Sequence, residues 1–147
     1  MTKLLMISMS ALLAGSAAPA QISSASLKWM AGPPGLPRGS TFAVLSGDPA
    51  KEGLFTIRAR MPAGYVIAPH HHPTDELLTV LSGQMAFGMG TKLDRAKAKS
   101  MAAGSYAVAA ANMNHYVFVR TATTLQVTAQ GPFAITYVNP ADDPRHR

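Results

Sequence analysis

The sequence contains five histidines, and three of them are consecutive: His70, His71 and His72 in the stretch APHHHPTDELL. Glu76 follows four residues after His72. On a β-strand, side chains alternate, so His70 and His72 share one face and His71 takes the other. Two imidazoles two residues apart on one pleated face can hold one ion. Glu76 has the same parity, and its carboxylate would neutralise part of that ion's charge. His115 stands apart, at the head of the apolar run HYVFVR. A lone histidine that begins a strand is usually structural. The coincidence of an HxH pair, a spaced glutamate and a distant histidine instead points to a transition-metal centre built from His70, His72, Glu76 and His115. His71 is expected to face outward, Asp75 to serve a turn, and His146 to lie in the polar tail.

Such a centre requires strands that bring residues 70–76 and 115 together. The pattern supplies many short ones. LFTIRARM (54–61) alternates, with Phe55, Ile57, Ala59 and Met61 on one face and Thr56, Arg58 and Arg60 on the other. Further strand-like runs are LKWM (27–30), FAVLS (42–46), YVIAPHHH, ELLTVLSG, QMAFGMG, SYAVAA, HYVFVR, TLQVTAQ and FAITYV. Ser82-Gly83-Gln84 reads as a hairpin connection between two of them. Residues 93–102, LDRAKAKSMA, form the best helix candidate, short and exposed. About ten closely spaced strands with little helix predict an all-β sandwich or barrel. Crossover helices are missing, which argues against a parallel α/β sheet.

Composition sets the remaining bounds. At 147 residues, with 48% hydrophobic and 14% charged residues, a single globular domain is expected. Residues 1–20 place Lys3 before an apolar run and end in the small residues Ala18-Pro19-Ala20. That order predicts a cleaved secretory signal peptide and an exported, periplasmic or secreted protein with no stable membrane insertion after cleavage. Residues 21–147 would then form one domain with its core at about 40–138. There is no cysteine, so disulfides, thiol catalysis and iron–sulfur clusters are excluded. The net charge is +6, but the one basic cluster, Lys92, Arg95, Lys97 and Lys99, is interrupted by Asp94. Nucleic-acid binding asks for a denser basic stripe, so no nucleic-acid partner is expected.

The motifs resemble those of the cupin superfamily. Gly64, five residues, His70-His71-His72, three residues, Glu76, six residues and Gly83 reproduce the first cupin motif without departure. Gly104 and His115 match the second motif in register, but Ala110 stands where the motif has proline, Asn112 where it has glycine and Val119 where it has asparagine. Asn112 tolerates the left-handed conformation such a turn needs. The chain is similar to the small, single-domain exported bacterial cupins. This resemblance implies a double-stranded β-helix, or jelly roll, with His70, His72, Glu76 and His115 as metal ligands inside it.

Those ligands would leave a divalent ion with a net charge of about +1 and room for exogenous ligands. Fe, Mn, Ni and Zn all accept them, and the sequence does not choose. Two functions follow as expectations. One is a metal-dependent enzyme, oxygenase-like, acting on a small organic molecule. The other is a non-catalytic periplasmic protein that binds or senses a metal or small ligand. Tyr65, Met85, Phe87, Gln126 and Tyr137 are candidate pocket residues. A homodimer is also expected, through an N-terminal edge strand containing Trp29, the single tryptophan.

Overall fold

The computed structural model describes residues 21–146; the expected signal segment, residues 1–20, lies outside them. Nine strands follow in chain order: β1 Met30–Ala31, β2 Thr41–Ser46, β3 Gly53–Met61, β4 Val66–His71, β5 Glu76–Met89, β6 Lys99–Ala102, β7 Tyr106–Ala109, β8 His115–Gly131 and β9 Thr136–Tyr137. Every pairing is antiparallel. Apart from three single 3-10 turns, no helix forms among the described residues. The expectation of an all-β jelly roll with little helix is met.

The long strand β8 organises the sheet. Its C-terminal half pairs with β3 and its N-terminal end with β4, while β5 runs along its other edge. β5 carries β7 and β6 on its far side, and β2, β1 and β9 complete the sheet. At roughly 3.3 Å per residue, a straight strand as long as β8 would outreach a small domain, so the pair must bend. It bends where the β5–β8 register shifts, between Val80 and Met85. Gly83 sits at that bend with φ +81°, and a Cβ there would lie 2.2 Å from the Ala122 carbonyl oxygen. Only glycine fits.

That bend corrects one expectation. Ser82-Gly83-Gln84 does not close a hairpin; ELLTVLSG and QMAFGMG are one bent strand. HYVFVR and TLQVTAQ likewise merge into β8, so nine described strands replace the ten or so expected. The helix expected over 93–102 is absent. Asp94 instead caps one isolated turn, its Oδ1 accepting from the Ala96 and Lys97 amides, and β5 captures Lys99–Ala102 as β6.

Inside the curl, Met61, Tyr65, Val80, Met85, Val117, Val119 and Leu125 belong to one buried cluster. Tyr116 and Phe118 point to the outer face, as their parity requires, yet both are fully buried. The segment after β5 covers them: Tyr116 Oη donates to the Asp94 carbonyl (2.8 Å), and the Arg95 guanidinium lies 4.7 Å from the Phe118 ring centre. The rest of the interior is a cavity of about 710 Å³.

Candidate metal centre

β4 and β8 bring the two histidine stretches together. His70 on β4 is directly opposite His115 on β8, and a bulge between Ile67 and His70 sets that register. His72 lies just beyond β4, and Glu76 opens β5. All four side chains are buried and line the cavity. One ligand nitrogen from each of His70, His72 and His115 lies within 4.8 Å of the others. Glu76 Oε2 is 3.5 Å from His72 Nε2 and 3.4 Å from His115 Nε2. The sequence-derived four therefore converge, with the carboxylate turned towards the imidazoles.

The tautomers follow from the backbone. Nδ1 of His70 lies 2.7 Å from the Ala68 carbonyl, Nδ1 of His72 lies 2.7 Å from that of Ala134, and Nδ1 of His115 lies 2.9 Å from that of Met113. A carbonyl oxygen only accepts, so in each case Nδ1 carries the proton and donates. In the neutral ring, Nε2 then presents a lone pair. Burial, with His115 and His72 close by, pushes the His70 pKa down to about 2. Burial also lowers that of His72, against the opposing pull of Glu76 and of the bond to Ala134.

With Nδ1 committed to a carbonyl in each ring, the Nε2 atoms are the ones turned towards the cluster, and those of His72 and His115 face the Glu76 carboxylate. Such a cluster could hold a cation among its members, which would relieve the repulsion between buried acceptors. Borderline-soft nitrogen donors with one hard oxygen suit a divalent transition metal, and the Nδ1–carbonyl bonds fix the rings as metal-site histidines require. The donor set fits the group that the motifs imply.

Other residues fall where their chemistry directs. His71 points away from the cluster and lies 3.2 Å from Asn114 Oδ1 through its Nδ1. Asp75 serves the turn, its Oδ1 accepting from the Ala111 amide at 2.7 Å. Asn112 is left-handed at φ 61°, and its amide donates to the His72 carbonyl at 2.8 Å. The turn before His115, which lacks the motif's proline and glycine, is thus tied directly to the HxH stretch. His146 ends a 3-10 turn in the exposed tail.

The expected pocket residues are corrected. Tyr65, Met85, Phe87 and Tyr137 are packed in the core, and Gln126 pairs on the outer face with Arg58 at 3.3 Å. None of the five lines the cavity. Phe133 does, stacked on His72 with ring centres 4.2 Å apart. Its position after Gly131-Pro132 made it look like the start of a separate strand. The carbonyls of Ala68, Met113 and Ala134 could not have been read from sequence, because any residue supplies a carbonyl.

Comparison with known proteins adds family and fold. A family model described as the ChrR cupin-like domain matches residues 17–134. No curated protein matches the sequence. Among solved structures, the polyketide cyclase RemF from Streptomyces resistomycificus superposes with a TM-score of 0.71 at 16% identity, covering 88% of this chain and 92% of that one. A protein provisionally assigned as an acetylacetone dioxygenase, from Methylibium petroleiphilum PM1, gives 0.66 at 21% identity, covering 90% of each chain. An RmlC-like cupin from Shewanella frigidimarina gives 0.60 at 13% identity, covering 77% and 91%. At these identities the likeness is one of fold.

Proposed function

The chain belongs to the ChrR cupin-like domain family, and from that premise we propose that it is a metal-dependent enzyme, oxygenase-like, acting on a small organic molecule. One observation carries this reading: three carbonyl-anchored imidazoles and the Glu76 carboxylate meet at the wall of a large cavity. His70, His72, Glu76 and His115 would hold the metal. When bound, it would supply Lewis acidity and a site for activating oxygen or orienting an enolate. The chain's own residues keep the rings in one tautomer, keep His70 and His72 unprotonated at neutral pH, and shield the site with apolar walls. Neighbours of the same fold described as a cyclase and a dioxygenase are consistent with enzymatic use of such a cavity.

The test begins with elemental analysis of the purified protein and of His72→Ala. The parent should retain about one equivalent of a divalent metal, and the variant much less. Protein loaded separately with Fe(II), Mn(II), Ni(II) and Zn(II) is then screened against phenols, diketones and organic acids. Turnover by one metal form supports the reading. Metal retention with no turnover by any form favours the second reading, a non-catalytic binding protein. One feature speaks for that alternative: beyond the four ligands, the only charged side chains lining the cavity among the described residues are Asp48 and Arg145, and both are ion-paired. Among the described residues, no unpaired acid or base beyond the four ligands lines the cavity.

We also place the protein outside the cytoplasm, exported through residues 1–20, and propose that it dimerises along β1. Trp29 adjoins β1 and is half-buried under Arg60, whose guanidinium is 3.7 Å from the ring centre. Its emission maximum should shift on dilution through the dimer's dissociation range; a constant maximum would remove Trp29 from the interface.

A further inference from the structure

The cavity wall that leads up to Glu76 is built from cross-strand rows. One row runs Phe42, Ala59, Leu125 across β2, β3 and β8; the next runs Val44, Ile57, Val127. All six line the cavity. The row after that runs Phe55, Ala129 and then Glu76, so the carboxylate stands one row beyond a continuous apolar surface. Ala59 is the small member, set between Phe42 and Leu125, and it leaves room at the middle of the wall.

Charge on the lining is committed. Arg145 gives Nε and Nη2 to the Asp143 carboxylate at 2.6–3.1 Å and Nη2 also to the Ile135 carbonyl at 3.1 Å. Asp48 accepts from the Ala50 amide and lies 3.3 Å from Lys51 Nζ. Each lining charge outside the metal centre already has an ion-pair partner, so a charged ligand would have to compete for it. Desolvating a charge without a partner costs several kcal/mol, roughly, whereas an apolar body gains by leaving water. At about 710 Å³ the cavity has the size of small-molecule sites.

We propose that the cavity selects an uncharged, largely apolar molecule with one oxygen function, its body lying on the β2–β3–β8 wall around Ala59 and its oxygen turned to the histidines. The orientation rests on the metal-centre reading; the selection for an uncharged apolar body does not. The probes are 1-naphthol and 1-naphthyl phosphate, which share a ring system and differ in charge. Binding to metal-free protein is measured by calorimetry at neutral pH. 1-Naphthol should bind at least about tenfold more tightly than the phosphate. Ala59→Phe and Ile57→Trp, which fill the wall, should each weaken 1-naphthol about tenfold or more and leave metal stoichiometry at the parent's value. Circular dichroism selects whichever variant folds, so misfolding of one leaves the other as the test. Equal affinity for the two probes, no binding of 1-naphthol, or parent-like binding by a folded filling variant would each overturn the proposal. Elemental analysis of each protein as purified, before its metal is stripped for calorimetry, separates the two readings. Protein that holds no metal yet discriminates between the probes sinks the metal centre alone; protein that holds metal without discriminating sinks this proposal alone.

Discussion

At the scale of single residues, burial disfavours the charged forms of His70 and His72, and this has a cost in acid. The ordinary histidine value is 6.5, and that of buried His70 is about 2. Between those two pH values the unfolded chain binds a proton that the folded chain refuses. The stability associated with neutral His70 is therefore full above pH 6.5 and is lost as pH falls towards 2. Urea titrations of metal-free protein at pH 7 and pH 4.5 should show this loss, and His70→Gln should show a smaller difference between the two pH values. An equal difference would mean that other groups govern acid sensitivity. Gly88 is a second such residue. A Cβ there would lie 2.1 Å from the buried Tyr116 ring, so Gly88→Ala should destabilise by about 1–3 kcal/mol in thermal or urea melts.

At the scale of elements, the two histidine stretches depend on the turn at residues 110–114. That turn is fastened to the HxH stretch by Ala111 to Asp75 and by Asn112 to the His72 carbonyl. Asp75→Ala removes the first bond. It should cost about 1 kcal/mol of stability, and it should weaken metal retention because His115 follows directly on the loosened turn. Competition with a chromogenic chelator reads the second effect; parent-like retention would show that β4–β8 pairing alone fixes His115. The β5 bend gives a companion experiment. Gly83→Ala combines φ +81° with a 2.2 Å approach to Ala122, and its destabilisation should exceed that of an alanine placed at the open Gly64.

At the scale of the whole molecule, the segment 32–40 is bound to the barrel by two tyrosines. Tyr137 Oη donates to the Gly35 carbonyl at 2.9 Å, and Tyr65 Oη donates to the Pro37 carbonyl and lies 3.1 Å from Ser40 Oγ. Burial raises both phenols above the ordinary value of 10.0. For a group whose folded value is raised, the stability is complete below the unfolded value and is lost as pH rises beyond it. Melting temperature should hold up to about pH 10 and then fall as the phenols are forced to ionise. Tyr137→Phe should start lower and fall less steeply. An unchanged alkaline slope would show that segment 32–40 is held by other contacts. Several of its residues line the cavity, so loosening it should also raise exchange of the amides around the cavity mouth.

The sequence alone picked out the four candidate ligands and the class of fold. An HxH pair, a glutamate and a distant histidine announce themselves because metal chemistry admits few residue types, and the alternation in 54–61 is a local property of a strand with one buried face. Strand number and the shape of the interior were decided by tertiary contacts. Whether Ser82-Gly83-Gln84 turns or bends depends on Ala122, some forty residues away, pressing on Gly83. Whether residues 99–102 extend depends on β5 lying beside them. The face shared by Phe55, Ile57, Ala59 and Met61 was legible as apolar. That it faces a cavity rather than a packed core follows from how far the β5–β8 pair curls, and curvature is a sum over the whole sheet that no local stretch encodes.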